Sequence, residues 1–413
     1  AAATLYDYRQ TLSVPMPPGV EAPSWRARTA IDWQGRFSGD GPWSFTVSDR
    51  FNLQHGEGDE WTQSSLLRND LRELYATYSQ GASLFDVGRI NIRSGVAAGY
   101  NPTDYFRPRS VVERVTQDPT VLRENRLGTF AIRGQQVFPS GAWSATLAPR
   151  LAAAPRVDLQ GQTGMNPQFG RTNNKTRFKL DGNYSVAPNF SPEVSMLAEK
   201  ERNLFGLGLT RAFGDRVTGV LEWSGGWQRN LLARAYSAGT AEGRFPPNVQ
   251  PLLPYDEAIR FRQDVALGLS MPINANLDVS VEYDFHQGGF SKGDWNRWFD
   301  AGSAALRTGN VAQLGQLQYL RQFASDEQEP MSQQNMFWRA EWRNFLAPNV
   351  TLVYLGIMNL HDRSSLQQVT ARWDRSKQWS FSAIVNRYVG DPATEYGSFQ
   401  TDMSVLLSAV FYF

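Results

Sequence analysis

The sequence predicts an all-β fold: a single transmembrane antiparallel β-barrel of about 18 strands, with 16 as the alternative count. Three observations carry this. Apolar and polar residues alternate with period two over many stretches of strand length. Short turns and long connections succeed one another along the chain. The composition combines 13% aromatic residues (24 Phe, 15 Tyr, 13 Trp) with a mean hydropathy of −0.44. No run approaches the ~18 consecutive apolar residues of a membrane helix, so any membrane crossing falls to strands.

Composition also removes chemistries. With no cysteine among 413 residues, disulfides, thiolate-bound zinc, iron–sulfur clusters and cysteine nucleophiles are excluded. A formal net charge of +1 gives no general attraction to nucleic acid, and no nucleic-acid partner is expected. The 41 basic residues comprise 36 Arg and 5 Lys. The chain starts Ala1-Ala2-Ala3, which reads as the small-residue end left by signal-peptide cleavage. The expected location is therefore the outer membrane of a Gram-negative bacterium, amid its lipid and lipopolysaccharide.

Taken in order, the segment 4–14 is needed as a first strand, with Tyr6, Tyr8, Leu12 and Val14 outward. In the second, Ala27, Ile31, Trp33 and Phe37 oppose Arg26, Arg28, Asp32, Gln34 and Arg36. Alternation recurs at 43–53, 129–135, 177–186, 216–228, 260–271, 338–344 and 367–374. It is cleanest at Leu277-Asp278-Val279-Ser280-Val281-Glu282-Tyr283-Asp284-Phe285. The pair within 190–213 is the least marked. At the end, Met403, Val405, Leu407, Ala409, Phe411 and Phe413 share one face. Turn residues cluster at 39–41, 80–82, 139–141, 187–189, 214–215, 272–274, 347–349 and 375–377. Longer connections lie at 96–125, 153–174, 230–257 and 290–330, with shorter ones near 56–63 and 390–399. Short turns at one end and long extracellular loops at the other are the layout of an outer-membrane barrel. Trp43, Trp143, Trp223, Trp227, Trp338, Trp342, Trp373 and Trp379 fall on the apolar parity, as interface girdles require.

Residues 69–107 carry a motif: Leu71, Arg72, Glu73 and Tyr75, then Gly88-Arg89, then Asn101-Pro102 and Asp104. It resembles proteobacterial outer-membrane barrels of the alginate-export type, in which a Leu-Arg-Glu strand precedes a Gly-Arg-Gln strand and an Asn-Pro-x-Asp loop. Ile90 stands where those proteins have Gln. The match covers under a tenth of the chain, and it implies a large outer-membrane channel more than it implies a cargo.

The polar parity, turned inward, gives an Arg-rich lumen. The expected solute path comprises Arg26, Arg28, Arg50, Glu73, Arg89, Arg93, Arg107, Arg109, Arg260, Arg262, Asp278, Glu282, Asp284, Arg339, Glu341, Arg343 and Arg372. Guanidinium groups stay charged and present a fixed fork to anions, or pair with carboxylates to brace a wide barrel. Loop 96–125, with Arg107, Arg109, Arg114, Arg123 and Arg126 beside Asp104, Glu113, Asp118 and Glu124, is read as a constriction or an outer lid. Loop 290–330 reads as helical, capped by Asp294, with Trp295, Trp298, Phe299, Gly302 and Leu306 at helical spacing. A second stripe, Leu314, Leu317, Leu320 and Ala324, follows a break at Thr308-Gly309-Asn310. The histidines His55, His286 and His361 lack metal spacing; Asp284, His286 and Asp362 are the nearest approach to a rim hydrolase site.

These readings imply an outer-membrane channel for an anionic or sugar-like solute or polymer, passive or gated by a partner, without cofactor, metal or enzymatic activity. A barrel subunit of an envelope assembly with periplasmic or inner-membrane partner proteins is the alternative, and an outer-membrane hydrolase the remote one.

Overall fold

The computed structural model describes residues 1–9, 12–15, 23–56, 65–112, 116–155, 167–245 and 251–413. Period-two alternation becomes strands throughout. They are β1 (Ala2–Tyr8), β2 (Trp25–Ser38), β3 (Trp43–Gly56), β4 (Ser65–Gln80), β5 (Ser83–Ile90) and β6 (Thr129–Phe138). Next come β7 (Gly141–Ala148), β8 (Arg177–Tyr184), β9 (Glu193–Glu199), β10 (Arg202–Phe213), β11 (Val217–Gln228) and β12 (Arg260–Pro272). The last are β13 (Leu277–His286), β14 (Gln334–Arg343), β15 (Val350–Asn359), β16 (Ser365–Asp374), β17 (Trp379–Val389) and β18 (Thr401–Phe411). Each pairs antiparallel with its sequence neighbours, and β1 pairs with both β2 and β18, so the 18-stranded sheet closes without a free edge. The count is the expected one, and the 190–213 pair is β9 and β10, joined by a tight turn at Glu201.

The outer face is apolar. Ile31, Trp33, Phe45, Leu74, Trp143, Leu267 and Leu407 are all at least half exposed. The inner face carries the charges.

The first strand departs from expectation. It ends at Tyr8, and its faces are reversed: Leu5 is 59% exposed outside, while the register Thr4↔Arg26 puts Thr4, Tyr6 and Tyr8 on the arginine side. Tyr6 and Tyr8 stack on each other, and the Arg26 guanidinium lies 5.9 Å from the Tyr6 ring. Bulky residues occupy both parities here, so the neighbouring strand's register decides the face. Val14, fully buried, belongs to an interior cluster rather than the outer wall.

That cluster is built by inserts at the long-loop rim. Helix α3 (Leu231–Ala241) and the hairpin of α4 (Lys292–Thr308) and α5 (Val311–Glu327) pack Leu232, Tyr236, Trp295, Trp298, Leu317 and Phe323 together. The cap of α4 is Ser291, with Asp294 completing a capping box at the third position, not Asp294 itself. The break is as expected: Gly309, at φ 63°, closes α4 and the Asn310 side chain opens α5. Leu306, 49% exposed, lies off the buried stripe.

Candidate functional site

Between β5 and β6 the chain leaves the wall and crosses the barrel interior. Ile90, Ile92, Phe106, Ala131 and Ala148 form a small apolar cluster where it departs. Two inward carboxylates on the far wall then receive it. Glu222 of β11 accepts the backbone N–H of Val96 (2.8 Å), Ala97 (3.0 Å) and Thr103 (2.7 Å), and the Thr103 hydroxyl (2.8 Å). Glu282 of β13 accepts those of Ala98 (2.7 Å), Gly99 (2.9 Å) and Tyr100 (3.0 Å). Buried N–H groups need acceptors, and these two side chains supply them where no strand can. Farther on, Asp118 meets Arg339 of β14 at 3.1 Å, and the Gln117 N–H donates to Gln368 of β16 at 2.7 Å. Helix α1 (Pro119–Glu124) follows, and Arg123 folds back onto the Ser94 and Gly95 carbonyls. Residues 91–112 and 116–128 are therefore docked inside the barrel on inward side chains from β11 to β16. Glu113 and Arg114 lie outside the described residues.

The motif residues prove to be the joinery of this loop. A bulge opposite Ser48/Asp49 lets Arg72 and Glu73 both act inside: Arg72 bridges Asp32 (2.9 Å) and Asn125 (3.2 Å), and Glu73 accepts the Asn91 N–H (3.2 Å). Gly88, at φ 134°, lies against Tyr75, where a Cβ would come 2.7 Å from the Tyr75 Cα. Asp104 pairs with Arg126 at 2.6 Å.

Most expected path residues serve as braces. Arg89, 2% exposed, donates to the Gly128 and Pro167 carbonyls and lies over Phe169, the first residue of the short helix α2 (Phe169–Thr172), rather than facing solute. Arg109 holds Glu327 of α5 (3.1 Å). Arg343–Asp278 and Arg372–Asp374 pair near the short-turn rim, Arg339–Glu341 (2.8 Å) higher up, and Arg260 with Asp256 (2.9 Å) at the opposite rim, where Arg262 also approaches Asp256. Arg50 lies 3.7 Å from Asp32. Arg26 and Arg28 are half-buried on the inner face of β2, in line with the exposed Arg36. Arg93 is exposed and forms no ion pair among the described residues.

Beside this docked loop lies a cavity of about 700 Å3. Its boundaries are residues from 99–111 and 117–126, the α5 side chains Gln318, Arg321 and Gln322, the wall residues Phe337, Ile357, Leu366 and Tyr388, and residues 395–400. Of its lining acids, Asp284 is one of the expected path residues, whereas sequence reasoning missed Glu329 and Glu395. Glu329 accepts two bonds from Arg234, one of 3.2 Å; burial opposes its charge, yet Arg234, with His286 and Arg202 behind it, holds the carboxyl well below the usual range. Burial pushes Glu395 up to about 7, against the Ser332 hydroxyl that it accepts. Both sit in connections without periodicity, so no pattern marked them.

His286 does not join Asp284 and Asp362. Its Nδ1 is 2.8 Å from Asp264 and its Nε2 3.6 Å from Glu329, while Asp362 accepts the N–H groups of Ser364 and Glu395. The nearest approach to a rim hydrolase site is thus not assembled. Among the described residues, no group of three His, Asp or Glu could hold a metal ion.

No protein-family model and no curated protein matches the sequence. Solved structures do. The crystal structure of Pseudomonas aeruginosa OccK8 (OprE) matches with a TM-score of 0.53 at 11% identity, covering 100% of this chain and 96% of that one. OccK11 (OpdR) from the same organism matches at 0.53 and 9% identity, covering 100% and 94%, and OpdL at 0.51 and 13%, covering 100% and 95%. At these identities the likeness is one of fold.

Proposed function

We propose that this chain is an outer-membrane channel that passes small anionic or sugar-like solutes through a water-filled, arginine-rich lumen. A closed barrel with an apolar belt and charged interior suits lipid outside and water inside, since lipid tolerates no unpaired backbone. The observation that carries the reading is a mainly cationic column on β2: Arg26, Arg28 and Arg36 share the inner face with one acid, Asp32, which Arg50 of β3 and Arg72 of β4 approach. Arg26 and Arg28 are partly buried and Arg36 is exposed, while Arg50 is buried against Asp32. Rings and rows of fixed charge favour counter-charged solutes in pores.

Reconstitution in planar bilayers under a KCl gradient tests this. The expected reversal potential is that of an anion-preferring pore, shifting toward neutrality in the triple variant Arg26→Gln, Arg28→Gln, Arg36→Gln. Cation preference unaffected by those changes would overturn the charge argument. The motif resemblance adds support for a large channel; its residues build the constriction, so it bears on architecture and not on cargo.

A further inference from the structure

A carboxylate stands in the lipid-facing wall. Along β3 the outward row runs Trp43, Phe45, Val47, Asp49, Phe51 and Leu53, and Asp49 is its one polar member. Ser48, Arg50 and Asn52, which alternate with this row, are buried toward the lumen. The register sets Asp49 between Trp33 of β2 and Leu71 of β4. Its side-chain partner is Asn69 of β4, whose amide nitrogen lies 3.0 and 2.9 Å from the two carboxylate oxygens. The Arg50 N–H donates to the same carboxylate at 2.9 Å. Among the described residues, the Asn69 side-chain carbonyl accepts no hydrogen bond.

Depth makes the pair unusual. Trp43 marks the short-turn end of the row, and Asp49 follows six residues later. At a rise of about 3.3 Å per residue and a tilt of about 40°, that places Asp49 roughly 15 Å into an apolar band about 25 Å tall. An ionisable group this deep is costly against lipid and ordinarily faces protein or water.

The chemistry of the pair says what could cover it. Aspartate supplies acceptors only, and asparagine supplies both donors and an acceptor. A patch holding both is self-complementary: across a twofold axis each residue finds its match in the same residues of another copy. Around it Ile31, Trp33, Phe45, Leu53 and Leu74 are exposed and apolar, and among the described residues no Lys or Arg faces outward on β2 to β4. We propose that the outer face of β2–β4 is the interface of a twofold dimer of this chain, in which the Asn69 amides meet within the membrane and separate the two Asp49 carboxylates.

The chain has no cysteine, so single introduced thiols report contacts cleanly. Val47→Cys lies in the outward row beside Asp49, and Leu267→Cys on β12 lies halfway round the 18-stranded cylinder, equally outward. Oxidation in membranes with copper–phenanthroline is expected to give a covalent dimer from Val47→Cys and none from Leu267→Cys. Adding Asn69→Asp to Val47→Cys is expected to reduce the dimer about tenfold or more, because like charges then meet. Adding Asp49→Asn, which keeps hydrogen bonding, is expected to retain it. Heat-modifiable gel migration verifies that each variant holds a folded barrel. Native mass spectrometry of the parent protein in mild detergent is expected to show twice the chain mass of 46.4 kDa. Equal cross-linking at Leu267→Cys, a dimer indifferent to Asn69→Asp, or a Val47→Cys product joined to a chain of another mass would each overturn the interface. These substitutions leave the lumen untouched, so the channel reading stands or falls separately.

Discussion

Glu222 and Glu282 show how far a single side chain can determine this interior. Both stand on inward parity, and both could have been read as lumen charges. Instead they accept seven bonds between them from residues 96–103, anchoring a loop that would otherwise carry unpaired N–H groups. Glu222→Ala should therefore free the loop at a cost of about 3 kcal/mol or more. The expected readout is a larger and noisier single-channel conductance than in the parent, with Glu222→Gln intermediate. Unchanged conductance in the alanine variant would mean the loop is held by other contacts. Gly88 acts through space: at φ 134° a Cβ would lie 2.3 Å from the Leu74 carbonyl. Gly88→Ala should displace β5 from β4 and lower the yield of heat-modifiable barrel. The parity of Glu282 was legible because alternation fixes direction. Its role was not, because its partners are backbone groups more than 180 residues away in sequence.

At the scale of elements, strands were more legible than inserts, for a physical reason. A strand facing lipid on one side and water on the other has its pattern imposed by two solvents, and the expected alternating stretches lie in or along a strand, apart from the segment 4–14, which leaves the ladder after Tyr8. The first strand was misread because Leu5, Tyr6 and Tyr8 put bulk on both parities. Helices α4 and α5 revealed their buried stripes, whereas the connection 390–400, which they meet, shows no period at all. That contact has a proton dependence. Glu395 accepts the Ser332 hydroxyl, and its carboxyl is raised from 4.5 to about 7 chiefly by burial. The folded state thus keeps a proton that the unfolded chain has released. Stability contributed by this contact is greatest below about pH 4.5, declines as pH rises and is gone above about 7, an effect on the order of 3 kcal/mol. Limited proteolysis of the α4–α5 hairpin should accelerate between pH 5 and 8 in the parent protein. Glu395→Gln should remove that dependence; a variant that keeps it would assign the effect to another group.

On the scale of the whole molecule, two structures share one chain. The barrel is closed by backbone pairing from β1 to β18, and the interior assembly is held by side-chain contacts to its walls. Their stabilities rest on different forces, so they should be separable. Trp298 tests this well: fully buried, it packs on Trp295 and Phe299 and carries the Arg321 guanidinium on its face, with no place in the strand ladder. Trp298→Ala leaves a large cavity in the insert core, at a cost of about 3–5 kcal/mol. If the two layers are independent, the variant retains heat-modifiable migration and β-sheet circular dichroism. Its α4–α5 hairpin becomes protease-sensitive and its conductance rises, because α5 no longer bounds the upper cavity. Loss of the barrel together with the hairpin would instead mean that the wall needs its contents to close, its charge pairs and the inserts acting as one network. The register argues for independence, since β1 pairs with β18 from Ala2 to Tyr8, with one register shift between Asp7 and Tyr8, while Trp295, Trp298 and Phe299 stand on α4, outside the ladder, in the insert cluster.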